Sequence, residues 1–220
     1  IKPTFVLILG DRTEVLSAAI AAAYMNIPIA HIHGGDKSKA GLDESVRHAI
    51  TKLAYVHFAA TEKSARRIIK MGEEKRRVYV VGAPGLDNII NQQLYSLKEL
   101  KYRFNINDNG YLLLLQHSVT TQPEGARHQI KETMEAINEL KINTIVIYPN
   151  SDAGSKQIIN VLKKYGKNPL IQLHKNLDNK TFLSLMKHSL VMVGNSSSGI
   201  IEASALNVPV INIGIRQEGR

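Results

Sequence analysis

Polar residues that can bind phosphate or move a proton recur directly after predicted strands. Asp11 and Arg12 follow the first strand, and His117 follows a strand near the middle of the chain. A carboxylate and an imidazole can act as acids or bases, and an arginine can bind phosphate. Asn150 and His174 follow two further strands and could contact a nucleotide base. Taken singly, Asp11 could be a helix cap and His117 a hydrogen-bonded loop residue.

The most specific pattern is the segment GNSSS at 194–198. This segment follows a strand that is predicted to be buried, and it leads into a helix predicted over 198–206. Free N–H groups at a helix start bind anions, and the hydroxyls of Ser196 and Ser197 add donors for a diphosphate. Glu202, one turn into that helix, could accept hydrogen bonds from ribose hydroxyls. The alternative is an ordinary Ser/Asn helix cap with a surface glutamate.

A second group of candidates lies in the segment HIHGGD at 31–36. Alternation along a strand predicts that His31 and His33 share a face while Ile32 points to the core. His33 and Asp36 could act as acid or base groups or contact substrate hydroxyls. A metal site is less favoured, because no fourth ligand stands at a recognised spacing.

The helix predicted over Asp43–Leu53 carries three further candidates, Asp43, Glu44 and Arg47. It follows the glycine loop, so its first turn should face the same site. Asp43 and Arg47 are also i,i+4 neighbours, and such residues form plain ion pairs on helices. The local pattern leaves both interpretations open.

Short β-branched runs alternate with helical patterns, which is typical of βαβ units and parallel sheets. The predicted strands are Thr4–Leu9, Ile27–Ile32, Val56–Ala60, Arg77–Val81, Tyr111–Gln116, Thr144–Tyr148, Leu170–His174, Val191–Val193 and Val208–Ile213. The predicted helices are Glu14–Met25, Asp43–Leu53, Glu62–Met71, Leu97–Phe104, Gln129–Leu140, Ser155–Tyr165, Asp178–His188 and Ser198–Leu206. The runs at 112–115 and 208–213 are apolar enough to predict strands buried on both faces.

The polar stretch before residue 110 interrupts this rhythm. It predicts two Rossmann-like, doubly wound domains, residues 1–92 and 110–220, with a linker at 93–109. A strand begins almost at the first residue, and the chain ends just after another strand. Each half is therefore expected to be part of a larger domain, with segments missing at both ends.

The composition excludes several classes of protein. The 220 residues include no cysteine, which excludes disulfide scaffolds, thiolate zinc sites and cysteine nucleophiles. Neither a signal peptide nor an apolar run of about 20 residues is present, so we expect a soluble, cytoplasmic protein without a membrane partner. The net charge is +9, but the basic residues lie on predicted helix faces without interleaved aromatics. This arrangement argues against nucleic-acid binding.

Several of these motifs together resemble the UDP-N-acetylglucosamine 2-epimerase family, in particular its hydrolysing branch. The matching segments are LGDRTE at 9–14, HIHGGD at 31–36, LDESVRHAITKLA at 42–54, LQHSVTT at 115–121, YPNSDAGSK at 148–156, GNSSSGIIEA at 194–203 and PVINIGIRQEGR at 209–220. The branch makes N-acetylmannosamine or related sugars for sialic and similar nonulosonic acids. The resemblance implies a GT-B-type fold with the active site in the interdomain cleft, a UDP-sugar substrate, no cofactor and a homodimer.

The resemblance also implies a reaction and residue roles. The C2 proton of the sugar is removed, UDP leaves from C1, and water then adds with inverted configuration at C2. The implied catalytic residues are Asp11, His33, Asp43, Glu44, Arg47 and His117. The implied substrate-binding residues are Arg12, Asp36, Asn150, His174, Ser196, Ser197 and Glu202. Many members carry glutamate at the position of His33, so His33, Asp36 or Asp43 must here move the proton.

Two other functions remain compatible with the same motifs. One is a non-hydrolysing UDP-sugar epimerase or a glycosyltransferase of the same fold. The other is a nucleotide-sugar-binding module without turnover.

Overall fold

The fold is described from a computed structural model, which defines residues 3–37 and 42–218. The chain divides into two compact units. Unit 1 runs to Pro84 and includes Glu218, and unit 2 is Gly85–Gln217. Both units have parallel sheets, as the alternation of strand and helix patterns predicts.

Unit 1 consists of a four-stranded sheet and helices that connect its strands. The strands are β1 (Val6–Leu9), β2 (Ile29–Ile32), β3 (Val56–Ala59) and β4 (Val78–Val80), and the helices are α1 (Thr13–Tyr24), α2 (Asp43–Leu53) and α3 (Glu62–Lys70). The strand order is β1-β2-β3-β4. Leu9 pairs with Ile32 and Ile32 with Phe58, so the first three strands end at one edge of the sheet.

The two faces of this sheet differ in burial. Ile8, His31 and His57 lie opposite one another on adjacent strands and are all buried. Leu7 and Leu9 point to the other face and are exposed. β1, which lies at the edge of the sheet, is therefore buried on one face only.

Unit 2 consists of a five-stranded sheet with a larger set of helices. The strands are β5 (Tyr111–Leu115), β6 (Asn143–Ile147), β7 (Ile171–His174), β8 (Val191–Gly194) and β9 (Val210–Asn212), and the helices are α4 (Gly85–Asn91), α5 (Leu97–Phe104), α6 (Ala126–Leu140), α7 (Ser155–Tyr165), α8 (Asn179–His188) and α9 (Glu202–Ala205). The strand order is β7-β6-β5-β8-β9. The order reverses beside β5, which places a topological switch point between β5 and β8.

Burial in unit 2 follows the position of each strand in the sheet. Every residue of β5 is buried, so the prediction for 112–115 is confirmed. The prediction that 208–213 is buried on both faces is wrong, because β9 is an edge strand and Ile211 is exposed. An apolar run alone does not distinguish a central strand from an edge strand.

The segment predicted as a linker, residues 93–109, differs in the structure. It contains α5, which begins with a capping box between Ser96 and Glu99. Leu100 and Ile106 are buried in the core of unit 2 together with Tyr111. These contacts assign the segment to unit 2 and place the division of the chain after Pro84 rather than at 92.

All nine predicted strands are present within the described residues, each within three residues of its expected bounds. The sequence analysis did not predict α4, which begins at Gly85 after Pro84, because that pair is typical of turns. Across residues 3–37 and 42–218, no helix combines the length and apolarity needed to cross a bilayer.

Leu113 is fully buried in the central strand of unit 2, whereas Leu140 at the end of α6 is exposed. Leu113→Ala should lower the free energy of unfolding by about 3 kcal/mol, through lost apolar burial and the cavity that remains. Leu140→Ala, which removes the same atoms from the surface, should change it by less than about 0.5 kcal/mol. Urea unfolding followed by circular dichroism tests this pair, and equal effects would contradict the central placement of β5.

Candidate active site

Gly10 turns the chain at the end of β1 and so positions Asp11 and Arg12. It has a φ of +83°, which favours glycine. Its N–H donates to the carbonyl of Ile32 at 3.1 Å, and its own carbonyl lies 2.9 Å from Nε2 of His31. Arg12 then has extended backbone immediately before α1.

Arg47 of α2 joins two loops of unit 1. Its side chain is only 1% exposed. Nη2 donates to the carboxylate of Asp11, and Nη1 donates to the backbone carbonyl of Asp36 at 2.9 Å. The sequence left a helical pair with Asp43 open, and the structure directs the guanidinium inward to the loops after β1 and β2. Arg47 therefore fixes Asp11 relative to Asp36.

The carboxylate of Asp36 is held from two sides. Oδ1 accepts from the hydroxyl of Ser64 at 2.7 Å, and Oδ2 lies 3.0 Å from Nδ1 of His33. The neighbouring Gly35 packs so closely that a Cβ there would lie 2.4 Å from the carbonyl oxygen of Ser64. Arg67 of α3 donates to the carbonyl of Gly35. The loop after β2 is thus fastened to α3.

His31 and His33 do not share a face, so the prediction of their common orientation is wrong. The strand ends at Ile32, and His33 has a φ of +64°, which breaks the alternation. His31 is fully buried, with Nε2 donating to the carbonyl of Gly10 and Nδ1 3.3 Å from the hydroxyl of Thr51. Burial lowers the pKa of His31 from 6.5 to about 4. His31 is therefore a neutral structural support of the turn before Asp11.

Asp43 and Glu44 form the first turn of α2, as predicted. Oε1 of Glu44 lies 3.7 Å from Nε2 of His48, one turn further along the helix. Leu42 precedes both acids, and residues 38–41 before it lie outside the described residues. Unit 1 thus brings Asp11, Asp36 and Arg47 into contact and places Asp43 and Glu44 on the helix that carries Arg47.

In unit 2, the side chain of Asn195 fixes the backbone at His117. The backbone N–H of His117 donates to Oδ1 of Asn195 at 2.7 Å, and Nδ2 of Asn195 donates to the carbonyl of His117 at 2.9 Å. The carbonyl of Asn195 accepts from Nη1 of Arg216 and from Nε2 of Gln217. The amide therefore extends the pairing of β5 with β8 by one residue.

The ring of His117 is oriented by Asn150, which follows β6. The backbone N–H of Asn150 donates to Nδ1 of His117 at 3.2 Å, and Oδ1 of Asn150 lies at the same distance from Nδ1. Nδ2 of Asn150 donates to Asp152 at 2.6 Å, which fixes the orientation of that amide. Nδ1 of His117 thus lies equally close to a donor and to an acceptor of Asn150, so these contacts fix the position of the ring without selecting one neutral tautomer. When Nδ1 carries a proton, it can donate to Oδ1 of Asn150.

Gly194 allows the chain to pass close to β5. Its φ is +137°, and a Cβ there would lie 2.0 Å from the carbonyl oxygen of Leu115. The next residues turn at once, with the hydroxyl of Ser196 accepting from the N–H of Ser198 at 3.3 Å. Ser196 is buried, whereas Ser197 is partly exposed.

The helix predicted over 198–206 is shorter in the structure. A 3₁₀ turn at Ser197–Gly199 precedes α9, which begins only at Glu202. Glu202 is therefore the first residue of its helix and not one turn inside it, because the glycine and serine residues favour a turn. Its Oε2 is buried and has no hydrogen-bond partner among the described residues. A buried, unpaired carboxylate oxygen of this kind is explained by a ligand or ordered water.

His174 lies apart from the contacts around His117. Its ring packs edge-on against Phe104 of α5, with centroids 5.2 Å apart. Burial lowers its pKa, and its Nε2 is buried without a partner among the described residues. The structure thus places His174 at the end of β7 but does not join it to His117 or Asn150.

The sequence analysis assigned no role in the site to Ser64, Asp152 or Asn195, and it placed His31 on the face of His33 rather than against the carbonyl of Gly10. Asn195 and Asp152 lie inside the recognised segments, so their motif membership was an available signal. Nothing near Ser64 marks it, because its contact with Asp36 spans 28 positions of sequence. Among residues 3–37 and 42–218, no three His, Asp or Glu side chains lie close enough to hold a metal ion.

Known sequences provide the first comparison. The family model described as UDP-N-acetylglucosamine 2-epimerase matches residues 1–220. The UDP-N,N'-diacetylbacillosamine 2-epimerase (hydrolyzing) of Legionella pneumophila is 42% identical over 219 residues, covering 99% of this chain and 58% of that protein. The polysialic acid biosynthesis protein P7 of Escherichia coli is 38% identical over 218 residues, covering 98% of this chain and 56% of that protein. The chain thus spans less than two thirds of these relatives.

Solved structures give the same fold. The structure of UDP-GlcNAc 2-epimerase from Neisseria meningitidis bound to UDP-GlcNAc matches with a TM-score of 0.79 at 23% identity, covering 96% of this chain and 59% of that one. The UDP complex of S. aureus MnaA matches with a TM-score of 0.78 at 22% identity, covering 98% of this chain and 58% of that one. These matches agree with the predicted α/β class with parallel sheets.

The lowered pKa of His31 predicts a pH dependence of stability. Its folded pKa of about 4 lies below its unfolded value of 6.5, so the unfolded state binds more protons between these values. The stability associated with neutral His31 is complete above about pH 6.5 and is lost as the pH falls towards 4, by up to about 3 kcal/mol. His31→Gln should flatten this part of the curve in urea unfolding. A ring titration of His31 near pH 6.5 by NMR would contradict the assignment.

Proposed function

Because the chain belongs to the UDP-N-acetylglucosamine 2-epimerase family, we propose that it carries the catalytic groups of a hydrolysing UDP-sugar 2-epimerase. The reaction removes the C2 proton of the sugar, releases UDP from C1 and adds water to the resulting unsaturated sugar. The products are UDP and a free 2-acetamido sugar with inverted configuration at C2. The family match over residues 1–220 and the hydrolysing relative at 42% identity support this proposal.

The observation that carries the proposal is the orientation of His117. Asn150 holds Nδ1 through its N–H and its Oδ1, and we assign to Nε2 the proton that is donated to an oxygen of the departing diphosphate. A hydrogen bond to an anion strengthens as charge develops on it, which favours departure of UDP. The double amide contact from Asn195 keeps the backbone of His117 in place.

We assign nucleotide binding to the segment after β8. The turn at Ser197–Gly199 offers backbone N–H groups, and Ser196 and Ser197 add hydroxyls for the diphosphate. The unpaired Oε2 of Glu202 is suited to accept from a ribose hydroxyl. Arg216 lies against the carbonyl of Asn195 and brings positive charge to the same segment. Asn150 and His174 are proposed to flank the base.

We assign sugar chemistry to unit 1. Arg47 holds the carboxylate of Asp11 at the end of β1, where it can accept or deliver a proton during water addition. Asp43 and Glu44 lie on the same helix as Arg47 and supply further carboxylates. Arg12 follows Asp11 and is proposed to contact phosphate. The reaction requires no redox cofactor, since only a proton, UDP and water are exchanged.

The expected substrate is a UDP-linked 2-acetamido sugar. The Legionella pneumophila relative is named for UDP-N,N'-diacetylbacillosamine, and the Neisseria meningitidis structure is bound to UDP-GlcNAc. We therefore propose both UDP-N-acetylglucosamine and UDP-2,4-diacetamido-2,4,6-trideoxyglucose as test substrates, and the ratio of their kcat/KM values measures the preference.

The reaction can be tested in deuterated water. The full-length protein should release UDP from one of the two substrates without an acceptor, and the free sugar should carry deuterium at C2 with inverted configuration. Phosphorus and proton NMR detect both products. A C2 epimer that keeps its UDP would indicate a non-hydrolysing epimerase, and UDP binding without products would indicate a binding module.

His117→Ala tests the assignment of UDP departure. Turnover should fall by about 10²-fold or more, because a positioned proton donor is lost. The dissociation constant of UDP, measured by calorimetry, should change little, since its binding rests mainly on the segment after β8.

The matched control is His128→Ala, at an exposed histidine of α6 whose Nδ1 lies 3.6 Å from Glu132. It should leave turnover unchanged. Unaltered turnover in His117→Ala would remove His117 from the reaction.

A further inference from the structure

The hydrogen bonds around His33 have the arrangement of a supported general base. Ser64 donates to Oδ1 of Asp36, and Oδ2 of Asp36 faces Nδ1 of His33 at 3.0 Å. A carboxylate only accepts hydrogen bonds, so Nδ1 of His33 must be the donor. The neutral ring then has its lone pair on Nε2, at the nitrogen not held by Asp36.

The backbone conformation of His33 provides a second, independent observation. His33 has a φ of +64°, in the left-handed region that disfavours residues with a side chain. Among the described residues, the other non-glycine residues with positive φ are Asn26, Asn105, Lys141 and Asn207. All four follow helices, where this conformation is common. His33 instead follows a strand, and unfavourable conformations at such positions cluster at functional sites.

The contacts of Nδ1 differ between the two histidines at strand ends. Nδ1 of His33 faces the carboxylate of Asp36, which only accepts hydrogen bonds, so the neutral ring has a lone pair on Nε2. Nδ1 of His117 lies 3.2 Å from both the N–H and Oδ1 of Asn150, and these contacts do not select one tautomer. An oriented lone pair on a ring nitrogen is therefore fixed at His33.

We propose that Nε2 of His33 is the base that removes the C2 proton, with Asp36 and Ser64 as positioning residues. The inference rests on the proposed function. The C2–H electron pair forms the C1=C2 double bond as the C1–O bond breaks, and UDP leaves with the electrons of that bond. The proton remains on His33, whose imidazolium is stabilised by Asp36, and passes to solvent after the step. Water then supplies hydroxyl to C1 and a proton to C2.

The surrounding contacts keep Asp36, which orients this base, in place. Arg47 binds the carbonyl of Asp36, and Arg67 binds the carbonyl of Gly35, so the peptide groups on both sides of Asp36 are fixed. Ser64 is buried and lies in the first turn of α3, which fixes its hydroxyl relative to the loop. Asp36 can therefore orient the ring of His33 without large losses of side-chain entropy on binding.

Replacement of the base gives the first test, on the full-length protein with the preferred UDP-sugar. His33→Gln should lower kcat by about 10²-fold to 10⁴-fold with little change in KM, because the side chain stays polar but cannot accept the proton. His33→Glu should restore at least about a tenth of the activity, since it returns a carboxylate base. His128→Gln, at the exposed pair with Glu132, should have no effect.

The tautomer gives the second test, and its result does not depend on turnover. Histidine labelled with ¹⁵N should show a protonated Nδ1 and an unprotonated Nε2 for His33. Asp36→Ala should release His33 to the tautomer of free imidazole, while Glu132→Ala should leave His33 unchanged. Ser64→Ala should lower kcat about tenfold and broaden the His33 signal, because Oδ1 of Asp36 loses the hydrogen bond from Ser64.

The outcomes separate this inference from the proposed function. If the unaltered protein turns over but His33→Gln retains activity within about threefold, the inference is overturned and the function stands. A proton on Nε2 of resting His33 would overturn it as well. If the unaltered protein releases no UDP from either substrate, the proposed function itself fails.

Discussion

A guanidinium in a protein interior requires a carboxylate and further acceptors, because its desolvation is otherwise too costly. Arg47 meets this requirement by binding the Asp11 carboxylate and the Asp36 carbonyl. Since these partners follow different strands, the buried charge ties the loops after β1 and β2 to α2. Arg47 thus contributes to the placement of both Asp11 and Asp36, and through Asp36 to that of His33. Removal of the Asp11 carboxylate would take a charged partner away from this buried guanidinium.

In unit 2, the residues that follow the strands are positioned by neutral groups. The amide of Asn195 makes two hydrogen bonds to the backbone of His117 and so continues the sheet where its strands diverge. Gly194 makes this possible, because only a residue without Cβ can lie against the carbonyl of Leu115. The hydrogen-bonded pairing of β5 with β8 thus continues for one further residue at the switch point. The turn at Ser197–Gly199 and His117 are held to each other by that short extension.

The sequence predicted the parts of this molecule that depend on local pattern. Alternating runs gave the nine strands, and the rule that ligands lie at strand ends located Asp11, His117 and the GNSSS segment. Local pattern gave a wrong prediction where the tertiary structure determines burial or helix length. The edge strand β9 is exposed, and the helix after Ser196 begins only at Glu202. Local pattern also could not place Ser64 against Asp36, since that contact joins two distant segments. The tautomer of His33 could be assigned only from its contact with Asp36 in the structure.

The left-handed backbone of His33 has a consequence for how this position can vary. A side chain in this conformation costs about 1 kcal/mol relative to glycine, so folding alone would favour glycine at position 33. Under the role proposed here for His33, selection for a stable chain and selection for a reactive one act in opposite directions on this residue. A lineage that no longer needed the reaction would be free to drift towards glycine here. The residue found at this position is accordingly a marker of whether the chemistry is still maintained.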